Sequence, residues 1–174
     1  MNNQGIILGR TLKQVENEVI PMLVLYNPND GTILEITEDI KLVDMRLNDR
    51  GQVIFANGLT ASGYLWDPIQ GMTHLGDFFM PVCFNNKDQV VGIQSDGAEI
   101  RNVKWVMWTP NEGQVQMKLD DLESSSDEIF IIKTDESESF NKVIYINAIN
   151  DNGYMIAQQL CSDKSRKCIV LIPK

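Results

Sequence analysis

The sequence is poor in the side chains on which many enzymes and metal sites depend. Its 174 residues include one histidine and three cysteines, which leaves little material for a His-rich metal site or a His-dependent triad. It contains no run of about 18 apolar residues, so no membrane span is predicted. It has no basic segment followed by an apolar stretch, so no secretion signal is predicted. The net charge of −9 argues against nucleic acid as a partner.

The chain does have enough apolar material to build a core. Hydrophobic residues make up 43% of it and charged residues 22%, which is the composition of a folded protein rather than a disordered one. The length fits a single repeat domain over residues 1–174 or one compact piece of a repeat array.

Two turn motifs recur in alternation along the chain. The first has the form polar-Pro-x-x-Gly and occurs at 27–31, 67–71 and 109–113, with a broken copy at 172–174. The second has the form Asn-x-x-Gly and occurs at 2–5, 48–51, 85–88 and 150–153, with Asp88 in place of the third glycine. Proline presets the backbone of a tight turn, while glycine and aspartate tolerate the left-handed conformation that closes one. The alternation therefore predicts an internal repeat whose strands are joined by these turns.

Short apolar runs precede the proline motifs, and more polar runs follow them, which predicts an all-β chain. The interpretation is a β-propeller-like array of about four antiparallel blades, because a four-stranded unit buries both faces only by packing against its neighbours. The predicted repeats are 1–39, 40–78, 79–119 and 143–174. A generic β-sandwich is the alternative, although it would not require the repetition. Residues 11–19 have a weak helical spacing and are interpreted as a linker.

The second repeat resembles the HAF repeat, an all-β repeat of bacterial and often surface-associated proteins. The resemblance is carried by Tyr-Leu-Trp-Asp-Pro at 64–68, Gly-Met-Thr-His-Leu-Gly at 71–76 and Asn-Asn-Lys-Asp-Gln-Val-Val-Gly at 85–92. His74 stands where the family usually has aspartate, and the His-Ala-Phe triplet is replaced by Ser-Gly-Tyr. The resemblance implies the fold and favours an extracellular or cell-surface location, but it implies no shared enzymatic activity.

The phase of the repeat predicts that the first and last blades are incomplete. Met1 falls directly before an asparagine turn, and Lys174 falls inside a proline turn. Three explanations stay open: a fragment of a longer protein, an array in which the two termini complete one blade, or a homo-oligomer that pairs open blade edges.

An acidic insertion is predicted over 119–142, because the spacing between the motifs is about 20 residues longer there. Residues 120–138 hold eight acids and one lysine. The segment is interpreted as a hairpin with an acidic tip, and a solvated loop that aids solubility is the favoured role. The functional alternatives are docking of a basic partner, with Asp135, Glu136 and Glu138 at the tip, and a weak calcium site, although no window fits an EF-hand loop.

The aromatic residues and cysteines give predictions about packing. Tyr26, Trp66 and Trp108 share one repeat position, two residues before each proline, and are predicted to pack between blades. Trp105 is the better candidate for an exposed ring, and Cys83 is predicted to be a buried thiol. Cys161 and Cys168 flank a polar loop, so they form either a disulfide in an oxidising compartment or two free thiols.

The sequence singles out no catalytic, cofactor-binding or metal-ligating residue. His74 lies on a polar outer strand, with no serine or cysteine nucleophile indicated beside it. The favoured function is therefore a non-enzymatic binding or scaffold module for a protein or glycan partner. The alternative is a carbohydrate-active enzyme or a glycan-binding propeller, whose carboxylates would be collected from several blades.

Overall fold

The computed structural model describes residues 1–38, 41–95, 104–117, 122–124, 143–160 and 165–173. These residues form fifteen β-strands and no helix, and the strands lie in four antiparallel sheets of three or four strands. The prediction of an all-β chain with four antiparallel sheets is confirmed. No closed propeller is detected among the described residues, and the propeller-like arrangement stays a prediction.

The chain divides into two compact units, Met1–Pro81 and Val82–Lys174. The first unit contains two sheets. Sheet one has the strand order β1-β2-β3, and sheet two has the order β4-β5-β6-β7. The strands are β1 Ile7–Val15, β2 Glu18–Asn27, β3 Thr32–Glu38, β4 Leu42–Leu47, β5 Val53–Asn57, β6 Ser62–Asp67 and β7 Gly71–Asp77.

The second unit contains the other two sheets, although β8 begins in the last residues of the first unit. Sheet three has the order β11-β10-β9-β8, and sheet four has the order β12-β15-β14-β13. The strands are β8 Phe79–Phe84, β9 Val90–Gln94, β10 Lys104–Thr109, β11 Gly113–Gln116, β12 Leu122–Ser124, β13 Val143–Ile149, β14 Met155–Leu160 and β15 Arg166–Pro173.

Both turn motifs lie at the same end of each sheet, which we call the turn rim. The asparagine turns lead into β1, β5, β9 and β14, and the proline turns join β2 to β3, β6 to β7 and β10 to β11. In the second asparagine turn, Asn48 Oδ1 accepts hydrogen bonds from the amides of Arg50 and Gln52 at 3.1 and 3.0 Å. Gly51 closes that turn with a φ of 77°, and Asp88 closes the third with a φ of 61°, as the motif predicted.

The interpretation of residues 11–19 as a linker is wrong. They belong to a long hairpin in which β1 pairs with β2 from Ile7↔Tyr26 to Val15↔Glu18. The chain reverses through Glu16, which has a φ of 52°. Glutamate and the asparagine that follows it lack the glycine that marks a two-residue turn, so no hairpin was predicted there.

The prediction that both terminal blades are incomplete holds for the first sheet only. Sheet one has three strands, in the order β1-β2-β3. Sheet four has four strands, because β12 pairs with β15 from Leu122↔Pro173 to Ser124↔Leu171. Its outer strand therefore comes from the segment predicted as an insertion. A three-residue strand among acidic residues is too short to show an alternating pattern.

A register rule describes how the sheets pack within the first unit. The fifth residue after each turn asparagine lies on one face of its sheet, and the sixth residue lies on the other face. The sixth-residue face of sheet one, with Leu8 and Leu25, shares a hydrophobic core with the fifth-residue face of sheet two, with Val53 and Trp66.

The second unit repeats this rule. Val91 is the sixth residue after Asn85, and Met155 is the fifth residue after Asn150. Both are completely buried in one core cluster, together with Ile146, Ala157 and Leu171 from sheet four. In each unit, therefore, the sixth-residue face of one sheet packs on the fifth-residue face of the next sheet along the chain.

Candidate functional site

Sheet one leaves an apolar row exposed near the turn rim, which we call the sheet-one row. It consists of Ile7, Tyr26 and Ile33, which lie directly opposite one another on β1, β2 and β3 and therefore share a face. Their exposed fractions lie between 37 and 59%. The row is the rim end of the fifth-residue face of sheet one, and further along β2 on the same face Val24 and Met22 are buried. Its counterpart in sheet two, around Val53 and Trp66, is buried in the core of the first unit.

Sheet four leaves its sixth-residue face exposed, and we call this surface the sheet-four face. Ile156 lies opposite Ala148 and Val170, and Gln158 lies opposite Tyr145 and Cys168. Tyr145 is 54% exposed and Ile156 is 49% exposed. The equivalent position in sheet three is Val91, which is buried. Sheet one therefore exposes residues of its fifth-residue face, whereas sheet four exposes residues of its sixth-residue face.

Hydrogen bonds join the first two asparagine turns at the rim. Asn2 Nδ2 donates to the backbone oxygen of Asn48 at 3.1 Å. The backbone amide and the Nδ2 of Asn3 donate to the carboxylate of Asp49 at 2.9 and 2.7 Å. The first turn is therefore the donor and the second turn is the acceptor.

The same three hydrogen bonds join the third and fourth turns. Asn85 Nδ2 donates to the backbone oxygen of Asn150 at 2.9 Å. The backbone amide and the Nδ2 of Asn86 donate to the carboxylate of Asp151 at 2.8 and 3.1 Å. These hydrogen bonds from Asn86, aided by the nearby charge of Lys87, lower the pKa of Asp151 below its usual range. We call this pattern the rim ladder.

A polar group on β6 and β7 contains the single histidine, with Ser62 buried and His74 and Asp77 exposed. Ser62 Oγ donates to Asp77 Oδ1 at 2.9 Å, and His74 Nε2 lies 3.2 Å from the same oxygen. The ring of Tyr64 packs against His74, with the ring centres 5.3 Å apart. A serine nucleophile needs a hydrogen bond to its general base, with the carboxylate on the far side of the histidine. Here serine and histidine both contact the carboxylate, so the group lacks the order of a catalytic triad.

Asp67 forms a buried polar network between the two turns of sheet two. Its Oδ1 accepts hydrogen bonds from the amides of Ile69 and Gln70 at 2.8 and 3.0 Å. Its Oδ2 accepts a hydrogen bond from Gln52 Nε2 at 2.7 Å, and Gln52 Oε1 accepts one from Asn48 at 2.7 Å. Burial on its own would raise the pKa of Asp67, but these donors and Arg50 outweigh it and lower the pKa. The network holds the two turns together, so its role is structural.

The predicted aromatic positions have different environments. Trp66 and Trp108 are buried, as predicted. Tyr26 is exposed, and the prediction that it packs between blades is wrong. It lies on the fifth-residue face of sheet one, whereas the opposite face, with Leu23 and Leu25, shares the core with sheet two. Trp105, the better candidate among the rings for exposure, is partly buried against the core of the second unit.

The remaining predicted sites are only partly described. Cys83 is buried, as predicted, and Cys168 is an exposed free thiol. Cys161, and with it the predicted pairing to Cys168, lies outside the described residues. So do Asp135, Glu136 and Glu138, the predicted docking tip, and the structure does not test that prediction.

The rim ladder was not predicted, although the sequence contains a signal for it. The donor turns begin with Asn-Asn, at 2–3 and 85–86, and the acceptor turns begin with Asn-Asp, at 48–49 and 150–151. An amide that donates opposite a carboxylate that accepts is a complementary pair. The alternation along the chain could therefore have indicated which turns are neighbours.

The comparisons with known proteins add no assignment. No protein-family model matches the chain, and no curated protein matches it. Within the described ranges, no group of three or more His, Cys, Asp or Glu side chains could hold a metal ion. The described strands and turns include no helix long and apolar enough to cross a membrane.

Proposed function

We propose that the chain is a non-enzymatic module for binding or scaffolding, and that its four sheets are consecutive blades of a β-propeller-like array of the HAF-repeat kind. The observation that carries the proposal is the sheet-four face. Tyr145 and Ile156 are about half exposed on a hydrogen-bonded sheet, beside Ala148 and Val170. Contiguous apolar surface of this kind on a rigid element is typical of sites where another macromolecule binds.

A protein partner fits this face better than a glycan does. Its centre is aliphatic, around Ile156, and its polar groups are few, whereas sugar sites surround an aromatic ring with hydrogen-bonding side chains. A glycan is the second candidate, because the rings of Tyr145 and Tyr154 are both exposed. The enzyme alternative has its nearest support in Ser62, His74 and Asp77, whose order differs from that of a triad.

A photo-cross-linking experiment tests the proposal. A photoreactive phenylalanine analogue replaces Gln158, which is exposed between Tyr145 and Cys168, and the full chain is irradiated in an extract of its native cells. We expect discrete protein adducts that are lost when Tyr145 and Ile156 are changed to serine. Leu59→Ser is the control, because Leu59 is similarly exposed but lies in the loop after β5. The proposal is contradicted if the adducts persist in the double variant, or if the same adducts form from position 59.

Two further assays separate the alternatives. If a glycan is the partner, the chain binds one member of an immobilised glycan panel, and Tyr145→Ala and Tyr154→Ala abolish that binding. If the chain is an enzyme, it hydrolyses aryl ester or aryl glycoside substrates, and His74→Ala and Asp77→Asn remove the activity. We expect both assays to be negative.

A further inference from the structure

The two exposed faces are related by the register rule that describes packing inside each unit. In both units the sixth-residue face of one sheet packs on the fifth-residue face of the next. The sheet-four face is a sixth-residue face, and the sheet-one row lies on a fifth-residue face. The exposed parts of these two faces therefore have the registers that pack on each other inside each unit, and on sheet one the exposed part is the rim end, because Met22 and Val24 are buried.

The turns next to these faces have complementary hydrogen-bonding groups. Asn150 Nδ2 is the counterpart of the Asn2 and Asn85 amides that donate across the rim ladder, and it donates to none of the described residues. The first turn has the matching acceptors. The backbone oxygen of Asn2 accepts from Gly5 and retains a second lone pair, and Asn3 Oδ1 accepts from none of the described residues.

The second residues of these turns are also complementary. Inside each unit, an amide side chain and its own backbone N–H meet the carboxylate of an aspartate. Between a fourth turn and a first turn the types are exchanged. The backbone N–H of Asp151 would donate to Asn3 Oδ1, and Asn3 Nδ2 would donate to the Asp151 carboxylate. Both hydrogen bonds between the second residues would therefore form, and in one of them the donor and the acceptor exchange turns.

We infer that a second copy of this chain docks head to tail on the sheet-four face, seating its sheet-one row and its first asparagine turn there. The inference rests on the proposed binding function and names the partner. The contact joins two different surfaces, so it is heterologous, and it either closes into a ring or continues as a row of copies. It uses the faces and rim turns of the sheets rather than the open blade edges that the sequence suggested.

The net charge of the chain determines the salt concentration at which association should be measured. Each copy has a net charge of −9, so the copies repel one another at low ionic strength. Salt at about 0.5 M shortens the screening length to a few ångströms and leaves the apolar contact intact. Association should therefore strengthen as salt is raised, which is the opposite of what a contact held by surface ion pairs would show.

The experiment measures mass by light scattering and by sedimentation equilibrium of the full chain over a wide range of concentration. We expect the wild-type mass to rise to at least twice the single-chain value of 19.7 kDa. Ile156→Glu and Tyr26→Glu should each raise the dissociation constant about a hundredfold, because each would bury an unpaired carboxylate. Leu59→Glu, on a comparably exposed leucine outside both faces, should leave the mass unchanged. If either face variant fails to fold by circular dichroism, Tyr145→Glu and Ile33→Glu replace them.

Mixing the two face variants distinguishes a head-to-tail contact from a symmetric one. Ile156→Glu keeps the sheet-one row, and Tyr26→Glu keeps the sheet-four face, so an equal mixture should form pairs of two chains and nothing larger. If like faces met instead, one of the two variants on its own would associate as the wild type does, Ile156→Glu for a contact between two sheet-one rows and Tyr26→Glu for a contact between two sheet-four faces. That result overturns the inference, and so does a mixture that stays as single chains.

A near-isosteric variant tests the ladder separately from the apolar contact. Asn150→Asp keeps the Oδ1 that caps its own turn and replaces the Nδ2 donor with a charged carboxylate oxygen. We expect an unchanged melting temperature and a dissociation constant about tenfold higher. An unchanged dissociation constant would remove the ladder from the contact.

The outcomes also separate this inference from the proposed function. A chain that is monomeric at every concentration, yet cross-links to other proteins through position 158, overturns the second copy as partner and leaves the binding function standing. A chain that neither associates nor cross-links overturns both.

Discussion

Asn3 in the first turn donates two hydrogen bonds to the carboxylate of Asp49 in the second turn. Asn86 and Asp151 repeat this relationship between the third and fourth turns. The side-chain bond needs an amide on one side and a carboxylate on the other, so the pair specifies which turn is the donor. Neighbouring sheets are thereby aligned at the rim by polar groups as well as by their cores.

Exchanging the two side chains tests whether this pair is energetically coupled. Asp49→Asn places two amide groups opposite each other, and Asn3→Asp places two carboxylates opposite each other. Each single change should lower the free energy of unfolding by about 1 kcal/mol. The double variant restores one amide and one carboxylate with the direction reversed, so it should recover most of the loss in chemical denaturation. Strictly additive losses would show that the pair is not coupled.

The strand boundaries were predicted well where the backbone preference of a residue matches its position in a turn motif. Proline and glycine at fixed spacing marked the turns, and the left-handed φ of Asp88 followed from its place in the motif. The hairpin at Glu16 was missed, because glutamate in a left-handed conformation is imposed by the nine paired positions of β1 and β2 rather than by a local preference. Strand β12 was missed because its pairing to β15 is remote in sequence.

The environment of Tyr26 shows why a repeat position does not determine burial. Tyr26 and Trp66 hold the same register, each opposite the fifth residue after a turn asparagine. Trp66 shares a core with sheet one, whereas Tyr26 lies on the face of sheet one that points away from sheet two. The burial of a ring at this repeat position therefore depends on which sheet covers its face, and no local pattern around residue 26 contains that information.

Alanine substitutions at these positions should differ in effect. Trp66→Ala and Trp108→Ala empty buried sites and should cost roughly 3–5 kcal/mol, which is comparable to the stability of a whole domain. Tyr26→Ala removes a ring that is already 37% exposed and should cost less than about 1 kcal/mol in the isolated chain. Thermal unfolding measures all three. Equal losses would mean that Tyr26 is packed in solution.

A glycine in sheet two is required by the close approach of another strand. A Cβ on Gly63 in β6 would lie 2.7 Å from the backbone oxygen of Phe79 and 2.8 Å from its ring. Gly63→Ala should therefore push β8 away and cost about 1–3 kcal/mol. Gly9→Ala is the matched control, because Gly9 also lies in a strand and a Cβ there meets nothing within 4 Å. The control should be neutral or slightly stabilising by thermal unfolding, and a similar loss in both variants would contradict the steric explanation.

The buried carboxylate of Asp67 gives the chain a specific response to acid. Its pKa is lowered in the folded protein, because the donors around the carboxylate outweigh the effect of burial. A group with a lowered pKa stabilises the fold above its unfolded-state pKa, near 3.8, and that contribution is lost as the pH falls through the folded-state value. Asp67→Asn keeps an oxygen for the amides of Ile69 and Gln70 but places a donor against Gln52 Nε2. We expect it to lower the free energy of unfolding by about 1–3 kcal/mol at pH 7.

The pH dependence of that difference identifies the charged form as the stabilising one. Protonated Asp67 offers Gln52 the same poor match that asparagine does, so the gap between wild type and Asp67→Asn should be complete at pH 5 to 7 and shrink below pH 3.8. Asp44→Asn is the control for the loss of one carboxylate, because Asp44 is exposed on β4. Its unfolding curve should run parallel to that of the wild type when both are measured by urea denaturation across the same pH range. If the difference in unfolding free energy between wild type and Asp67→Asn stays constant down to pH 2.5, the network depends on the shape of the Asp67 side chain and not on its charge.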